Sequence, residues 1–352
     1  MSSSPDAKLP DRIRDVEHLE EMLSDPPPYV VDTMRRLQGD IVVLGIGGKM
    51  GPSLARMIKR ADLAAGLARR VFGVSRFSNS ELPEQLAGWG IEPVACDLLD
   101  RAQLARLPDA PNVVYMPGMK FGSAGQQART WAMNAYLPGL VCERYRSSRM
   151  VAFSTGNVNA LAPVGSGGAV ETDEPRPVGD YGMSCLGRER VLEHFSRELN
   201  IPMAIIRLNY AVEMRYGVLV DVARKVHNGE TIDLSMGHFN CIWQGDANAQ
   251  TLGAFDHLSV PPNVLIVTGG QTLAVRDVAD KLARLMGSVP PPRFSGKESP
   301  DALLANPAKA TALFGHPIVD TGDLLTWVAD WVSRGGESLG KPTHFEARDG
   351  KF

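Results

Sequence analysis

Three glycines spaced three residues apart, Gly45, Gly48 and Gly51, form the pattern in this chain that points most directly to chemistry. They follow the apolar run 41–44, which predicts a strand buried on both faces. The segment after Pro52 carries apolar residues at helical spacing, so the glycines would form a turn from strand to helix. The free N–H groups at the start of such a helix can bind a pyrophosphate, which predicts a dinucleotide-binding turn. The alternative is an ordinary tight turn, although that would need only one glycine.

Polar residues at the ends of the next two predicted strands indicate which dinucleotide would bind. The apolar run 71–74 is followed by Ser75 and Arg76. An acidic residue here would accept hydrogen bonds from the ribose of NAD, whereas an arginine suits the 2′-phosphate of NADP. We therefore expect NADP(H) in preference to NAD(H), with a solvated loop role as the alternative for Arg76. Asp97 ends the third predicted strand, where it would meet the adenine edge.

The elements that must position these residues alternate between strands and helices. Apolar runs predict further strands near 112–116, 150–153 and 204–207, and helical patterns cover 124–146 and 181–199. Strands alternating with helices imply parallel pairing with right-handed crossovers. The predicted fold class is therefore α/β, with a doubly wound parallel sheet of the Rossmann type.

The same patterns divide the chain into three parts. Residues 1–38 form a helical N-terminal extension, which we expect to be a packing arm or a subunit contact. Residues 39–210 form the dinucleotide-binding domain, with additions to its sheet from about 240–270. Because the alternation weakens beyond residue 210, we expect 211–352 to be mainly a smaller α/β substrate-binding lobe with an irregular tail.

Composition argues against several functional classes. The net charge is −3 and the basic residues are scattered, which indicates neither a nucleic-acid partner nor a membrane surface. The four cysteines form no CxxC pair, which argues against zinc and disulfides and for a reducing compartment. The N-terminus lacks the order of a signal peptide, and no apolar run has membrane-spanning length. We expect a cytoplasmic protein with no bound metal and a small-molecule substrate.

Several motifs in one order resemble the extended short-chain dehydrogenases/reductases, which are grouped with NAD-dependent epimerases and dehydratases of sugars. The resemblance spans roughly residues 40 to 330. The matching positions are the glycine turn Gly45, Gly48 and Gly51, the adenine contact Asp97 and Leu98, the helix asparagine Asn134, the Ser154 and Thr155 pair before Val158, the tyrosine Tyr181, Arg207 and Asn209 at the sixth strand, and Gly245 with Asp246.

The resemblance implies a role for each part of a site. Tyr181 would be the proton donor or acceptor, and the Thr155 hydroxyl would donate to the same substrate oxygen; otherwise Thr155 would only satisfy nearby backbone. The cofactor-binding residues expected from the turn, the strand ends and the resemblance are Gly45, Gly48, Lys49, Met50, Gly51, Ser75, Arg76, Asp97, Leu98, Met116, Pro117, Gly118, Asn134 and Cys185. The expected substrate contacts are Lys120, Thr155, Asn209 and His238, with Asn240 as a further candidate. Helices 124–146 and 181–199 pair across a two-fold axis in such proteins, which implies a homodimer.

One position departs from the family, which has a lysine four residues after the tyrosine where this chain has Cys185. A unit charge about 4 Å away at an effective dielectric of about 20 is worth about 4 kcal/mol, or about three pKa units. Without it Tyr181 should keep a pKa at or above about 10, which leaves a usable proton donor but a poor base. Lys120 and Arg188 could compensate, as could the charge of oxidised nicotinamide. A solvated or ion-paired helix residue is the alternative for Arg188.

Two functions remain open at this point. The first is an NADP(H)-linked oxidoreductase or epimerase that acts on a hydroxyl or carbonyl of a sugar or sugar derivative. Tyr181 and Thr155, together with the glycine turn, favour it. The second is a dinucleotide-binding sensor or scaffold protein that has lost catalysis, which the absent lysine favours.

Overall fold

A parallel β-sheet forms the centre of the computed structural model, which describes residues 9–120, 125–287 and 291–350. The apolar runs seen in the sequence form its central strands, and residues 41–44 and 112–115 are buried throughout. The strands, in chain order, are β1 Ile41–Leu44, β2 Val71–Ser75, β3 Glu92–Ala95, β4 Asn112–Tyr115, β5 Arg149–Thr155, β6 Ala162–Pro163, β7 Met203–Leu208, β8 Ala211–Val212, β9 Thr231–Asp233, β10 His238–Phe239, β11 Ile242–Trp243, β12 Asn263–Val267, β13 Leu273–Ala274, β14 Arg293–Ser295 and β15 Asp301–Ala302.

Helices cover both faces of the sheet and build most of the second lobe. In chain order they are α1 Val16–Leu23, α2 Pro28–Arg36, α3 Gly51–Ala65, α4 Leu82–Gly88, α5 Arg101–Ala105, α6 Gln127–Trp131, α7 Leu137–Arg144, α8 Gly179–Leu199, α9 Val218–His227, α10 Gln244–Gly253, α11 Val275–Met286, α12 Ala308–Phe314 and α13 Thr321–Ser333. Within the described ranges, none of them has the length and apolar character needed to cross a membrane.

The main sheet has seven strands in the order β12-β7-β5-β4-β1-β2-β3, and all of its pairs are parallel. The chain builds outward from β1 to β3 on one side and then crosses to β4 on the other. In such sheets the strand order reverses at a crevice outside the carboxyl ends of the central strands, where ligands bind. The predicted doubly wound fold is confirmed, and the crevice lies between the ends of β1 and β4.

The second lobe has a hydrophobic core of its own, built around α9, α11 and α13. Helix α1 joins that core through Leu19 and Leu23, whereas α2 packs against the sheet through Val30 and Met34. Arg60 of α3 ties down the link between these two helices by hydrogen bonds to the chain near Ser24. The N-terminal segment thus packs within the chain, with one helix in each core.

The helix predicted over 124–146 is interrupted, and its first residue lies outside the described part of the chain. A π-helical turn, Ala132–Tyr136, separates α6 from α7. Pro138 has no N–H to donate to the carbonyl of Asn134, four residues earlier, so the regular helical hydrogen bond cannot form there. The Nε of Arg188 donates to that carbonyl instead, at 3.3 Å. Pro138 therefore leaves the Asn134 carbonyl without its helical partner, and a side chain of α8 donates to it.

Candidate active site

The glycine turn lies at the carboxyl end of β1. The surrounding backbone leaves no room for a side chain at Gly45 or at Gly51. Gly45 has a φ of +80°, and a Cβ there would lie 2.9 Å from the backbone nitrogen of Pro117. A Cβ at Gly51 would collide with the carbonyl oxygen of Ile46. More than one position therefore requires glycine, unlike an ordinary tight turn. Gly51 begins α3, and the first N–H groups of that helix next to the exposed Gly48 fit a pyrophosphate.

The strands beside the turn carry the polar residues expected to meet the adenosine. Ser75 ends β2, and its Oγ would lie 2.5 Å from a Cβ at Gly47, so it packs directly on the turn. Arg76 follows it and is exposed to solvent. The Asp97 carboxylate accepts a hydrogen bond from a backbone N–H two residues further on, at 3.1 Å. Leu98 is buried in the core on one face of the sheet.

The loop after β4 forms the opposite wall of the crevice. Met116 is half-buried, and its N–H donates to the carbonyl of Leu44 in β1 at 3.0 Å. Pro117 is buried and Gly118 is exposed. The loop therefore begins as a continuation of the sheet and then turns outward beside the glycine turn.

The Asn134 side chain binds Met119, the next residue of this loop, through two hydrogen bonds. Its Oδ1 accepts from the N–H of Met119 at 2.8 Å, and its Nδ2 donates to the Met119 carbonyl at 3.1 Å. The Nδ2 also donates to the Oγ of Ser184 in α8, at 3.0 Å. Protein groups thus use the amide fully. The structure assigns Asn134 to holding this wall, where the sequence led us to expect a direct contact with the cofactor.

Arg188 lies beneath the same loop and is only 4% exposed. Its Nη2 donates to the Asn134 Oδ1 at 2.8 Å and its Nη1 to the Phe153 carbonyl at 2.9 Å. The Nη2 would also lie 2.7 Å from a Cβ at Gly118, so the loop passes directly over the guanidinium. The alternative of a solvated or ion-paired Arg188 is wrong, because neutral oxygens bind this buried cation. Its charge lowers the pKa of Tyr181.

Tyr181 lies in the first turn of α8, and its side chain shares hydrogen bonds with Thr155 and Cys185. Burial raises the pKa of Tyr181 above its ordinary value and Cys185 raises it further, while Arg188 and Thr155 lower it. The phenol is therefore protonated at neutral pH, as expected from the absent lysine. The Thr155 Oγ1 accepts from the N–H and Nδ2 of Asn157 at 3.2 and 3.0 Å, which leaves its own proton to donate elsewhere.

Lys120 reaches the same tyrosine from the loop after β4. Its Nζ lies 5.9 Å from the centre of the Tyr181 ring and donates to the Thr343 carbonyl at 3.4 Å. Burial lowers the pKa of Lys120 to about 8, so its ammonium form still predominates at neutral pH. Burial raises the pKa of Cys185, which is therefore a neutral thiol. A cation from a separate segment thus lies close to the tyrosine, whose own helix has Cys185 where the family has a lysine.

Sequence reasoning named Lys49 as a cofactor contact but missed the residues of the second lobe and the tail that lie near it. Lys49 extends from the glycine turn, and its Nζ lies 3.0 Å from the centre of the Tyr216 ring. Asp221 of α9 accepts from the N–H and Oγ1 of Thr343 at 2.7 and 2.6 Å, which fixes the tail beside Lys120. Lys49 could be identified in the sequence because it lies between Gly48 and Gly51 of the predicted turn. The tail carried no such signal, because its contacts join residues far apart in sequence.

Other predicted contacts are used by the protein itself. The Asn209 Nδ2 donates to the Asn240 Oδ1 at 2.8 Å, and the Asn240 Nδ2 donates to the carbonyl of Gly269 at 2.9 Å and to that of Ala305. These buried amides join strand ends and are not the substrate contacts expected from the sequence. His238 is half-buried on β10, and its Nδ1 has no hydrogen-bond partner among the described residues.

A buried ion pair anchors the tyrosine's helix to the sheet. The Arg207 Nη2 lies 2.8 Å from the Glu189 Oε2, and both side chains are nearly inaccessible to solvent. The Ser154 Oγ donates to the other oxygen of the same carboxylate, at 2.5 Å. Arg207 and Ser154, two of the residues that carry the resemblance, therefore hold α8 against β5 and β7. This fixes the position of Tyr181 relative to Thr155.

The sequence model of the NAD dependent epimerase/dehydratase family matches residues 41–248, which is more than half of the chain. The chain belongs to this family. It is therefore an NAD(P)-dependent enzyme of the epimerase and oxidoreductase type. The match begins at β1 and ends within α10, so it includes the glycine turn, Thr155 and Tyr181. No curated protein sequence matches the chain.

Solved structures of several sugar-nucleotide epimerases share the fold. The UDP-glucuronic acid 4-epimerase from Bacillus cereus in complex with NAD is 18% identical, with a TM-score of 0.70, and the match covers 84% of this chain and 99% of that one. The UDP-glucose 4-epimerase from Thermotoga maritima with UDP-glucose is 18% identical, with a TM-score of 0.69 and the same coverage of 84% and 99%. The UDP-Glc/GlcNAc 4-epimerase from Campylobacter jejuni is 18% identical, with a TM-score of 0.69 and coverage of 84% and 100%.

Proposed function

We propose that this enzyme is an NAD(P)(H)-linked oxidoreductase or epimerase that acts on a hydroxyl or carbonyl of a sugar or sugar derivative. The observation that carries the proposal is the Tyr181 and Thr155 hydrogen bond at the edge of a crevice whose glycine turn fits a dinucleotide. A bound nicotinamide supplies or accepts the hydride. The epimerase alternative within this class is supported by the family and by the sugar-nucleotide epimerases that share the fold.

Each side chain at the substrate oxygen has a defined task. Thr155 donates to that oxygen and orients it, because its acceptor positions are already taken by Asn157. Tyr181 gives its proton to the same oxygen when a carbonyl is reduced, and its raised pKa keeps that proton in place at neutral pH. The buried guanidinium of Arg188 stabilises the tyrosinate that remains. The ammonium of Lys120, 5.9 Å from the ring centre, is a second cation that can do so. Alcohol oxidation, which an epimerase also performs, needs tyrosinate as its base and therefore depends most on these charges.

We propose NADP(H) as the preferred cofactor. Arg76 supports this because it is exposed directly after β2, where a guanidinium can pair with a 2′-phosphate. The B. cereus relative was solved with NAD, so the preference needs a direct measurement. Fluorescence titration with NADPH and NADH gives both dissociation constants, and Arg76→Ala should remove a preference for NADPH of about tenfold. Equal affinities, or a tighter NADH complex, in the wild type would contradict the preference for NADP(H).

Turnover of NAD(P)H with panels of sugars, sugar acids and nucleotide sugars tests the reaction. We expect Tyr181→Phe to lower the turnover number by about 10²- to 10⁴-fold with unchanged cofactor affinity, because the proton donor is lost. Tyr136→Phe is the matched control, since Tyr136 is exposed on the π-helical turn. Absence of turnover in every panel, with wild type and Tyr181→Phe indistinguishable, would contradict the proposal.

The sequence also left open a dinucleotide-binding sensor or scaffold that has lost catalysis, which conflicts with the enzyme family that the chain belongs to. It is favoured only by Cys185, which leaves the helix of Tyr181 without the usual lysine. The two candidates differ in what Lys120 does. If Lys120→Met abolishes a measurable activity while NADPH affinity is kept, the sensor hypothesis fails. A partner protein that binds only the oxidised or only the reduced complex would support it.

We further propose that the enzyme is a cytoplasmic homodimer. Trp131, Tyr136 and Met183 are large side chains exposed by 37%, 51% and 49% on α6, the π-helical turn and α8. Their position supports pairing of these helices across a two-fold axis. Sedimentation velocity of the wild type and of Met183→Glu tests this, with a dimer expected for the first and a monomer for the second.

A further inference from the structure

The tail, residues 337–350, crosses from the second lobe to the substrate side of the crevice. Phe345 is 1% exposed and belongs to the hydrophobic core of the second lobe. Gly350 lies against the start of α8, because a Cβ at Gly179 would be 2.7 Å from the Gly350 carbonyl oxygen. Gly179 is two residues before Tyr181. The tail is therefore anchored in one half of the molecule and contacts the helix of Tyr181 in the other.

Thr343 is the residue at which the tail meets Lys120. It is 2% exposed, and the Asp221 Oδ2 accepts from its N–H and its Oγ1 at 2.7 and 2.6 Å. The carbonyl oxygen of Thr343 accepts from the Lys120 Nζ at 3.4 Å. Helix α9, which carries Asp221, thus fixes the residue whose carbonyl faces the lysine.

The backbone next to Thr343 is constrained as well. His344 has a φ of +53°, in the left-handed region that costs free energy for a residue with a Cβ. His344 is itself exposed, whereas Thr343 and Phe345 on either side of it are buried. The hydrogen bonds of Thr343 and the packing of Phe345 therefore hold the tail in a conformation that it would not adopt on its own.

Lys120 lies between this carbonyl and the tyrosine, with its Nζ 5.9 Å from the centre of the Tyr181 ring. An ammonium on a flexible four-carbon side chain has many accessible positions, and keeping it in one of them costs conformational entropy. A fixed acceptor offsets that cost. The Thr343 carbonyl is such an acceptor, and it carries no net charge that would cancel the effect of the ammonium on the phenol.

We propose that Thr343 is a positioning residue that holds Lys120 beside Tyr181, with Asp221 fixing Thr343 in turn. The tail then forms part of the active site, although it lies outside the residues 41–248 that match the family model. The role of Tyr181 as proton donor rests on the proposed function, whereas the placement of Lys120 does not. The experiments therefore measure placement and turnover separately.

NMR of protein labelled with ¹³C at the lysine Cε tests the placement without requiring turnover. The resonance that is lost in Lys120→Met and kept in Lys281→Met, on the exposed face of α11, belongs to Lys120. Burial lowers the pKa of Lys120 to about 8 in the wild type. Thr343→Val removes the hydroxyl that binds Asp221, so Lys120 should move toward solvent. We expect its pKa to rise by about one unit or more, toward the ordinary value of about 10.4.

Three further variants separate positioning from a general loss of packing. Thr343→Ala removes the same hydroxyl with a smaller side chain and should raise the Lys120 pKa in the same way. Thr343→Ser keeps the hydroxyl and should restore the wild-type titration. Thr326→Val is the matched control, because Thr326 is exposed on α13 and its Oγ1 donates to the Gly322 carbonyl of its own helix at 2.9 Å.

Turnover of the substrate found in the sugar panels is the second readout. We expect Thr343→Val to lower the turnover number by about three- to tenfold with unchanged NADPH affinity, since one hydrogen bond that fixes the tail is lost. In the Lys120→Met background the same substitution should change turnover little, because the lysine that Thr343 positions is no longer there.

Two outcomes overturn the proposal. An unchanged or lower Lys120 pKa in Thr343→Val would mean that the lysine keeps its position without that hydroxyl. Fully additive effects of Thr343→Val and Lys120→Met on turnover would mean that Thr343 acts through another group. Absence of turnover in the wild type, together with the expected rise of the Lys120 pKa, would contradict the proposed reaction while supporting the role of Thr343.

Discussion

On the cofactor side of the crevice, one continuous segment from β1 through the glycine turn to α3 makes the wall. On the substrate side, Tyr181 is surrounded by side chains that come from β5, the loop after β4 and its own helix. The first wall depends on backbone shape and the second on charges from distant segments. The cofactor side is thus local in sequence, whereas the groups around the tyrosine come from segments far apart in the chain.

The largest expected effect comes from adding a side chain to the glycine turn. Gly51→Ala places a Cβ against the Ile46 carbonyl, so the turn must shift and its N–H groups lose their geometry. We expect NADPH affinity to fall by about 100-fold or more, or the fold to be lost. Gly88→Ala is the control, because a Cβ there meets nothing within 4 Å. Fluorescence titration and circular dichroism distinguish the outcomes, and an unchanged affinity would show that the cofactor binds elsewhere.

Arg188→Met should have the next largest effect, because it removes the charge and the donors beneath the substrate side. The Phe153 carbonyl and the Asn134 side chain would lose buried hydrogen bonds, at a cost of about 1–3 kcal/mol for each unsatisfied group. We expect a clearly lower free energy of unfolding by denaturant titration. Arg190→Met is the control, since Arg190 is exposed on the same helix. Equal stability of the two variants would mean that Arg188 does not hold the loop.

Lys120→Met should lower the turnover number by about 10- to 100-fold while cofactor affinity changes little. On the proposed function its ammonium, 5.9 Å from the ring centre, favours tyrosinate at Tyr181, so its loss should also shift the apparent pKa of the tyrosine in the pH profile upward. Lys120→Arg keeps the charge and should retain most of this effect. If the methionine variant has a wild-type pH profile, Arg188 and the nicotinamide supply the charge on their own.

A pH-dependent effect is expected on the stability of the ligand-free protein. The unfolded chain holds the Lys49 proton up to about pH 10.4, whereas the folded chain loses it near a pKa of about 6. Between these values the unfolded state binds more protons, so Lys49 makes stability rise with pH. Below about pH 6 both states are protonated and the full cost of the buried charge remains.

Lys49→Met removes that cost, so it should stabilise the free protein near pH 6, and the gain should shrink as the pH approaches about 10. Denaturant titrations of both proteins across this range measure it. Lys281→Met should follow the wild type at each pH. A constant difference between Lys49→Met and wild type would show that the pKa of Lys49 is not lowered by folding.

The sequence predicted the strand, glycine turn and helix of the cofactor side because their determinants are local. Gly45 and Gly51 are required by a strand, turn and helix that follow one another in the chain, and the strand alternation indicated the parallel sheet. The substrate side was predicted in part. Tyr181, Thr155 and Lys120 do lie together, but the amides of Asn134 and Asn209 are used within the protein.

What escaped prediction depends on pairings across long sequence separations. Thr343 meets Asp221 and Lys120 across sequence separations of 122 and 223 residues, and no periodicity in an irregular tail indicates such contacts. The sequence did not predict the π-helical turn for a related reason. Pro138 weakens the helix locally, but the partner that makes the turn favourable is Arg188, which comes from a different helix much further along the chain.

The placement of α1 and α2 has a mechanical consequence. Leu19 and Leu23 are anchored in the core of the second lobe, and Val30 and Met34 in the core beneath the sheet. The short link between these helices acts as a strap across the two halves. Opening the halves as rigid bodies would extract one helix from its core, at about 1.5–3 kcal/mol for each large apolar side chain exposed. We therefore expect substrate exchange to proceed by local movement at the rim of the crevice, because the strap opposes separation of the two cores.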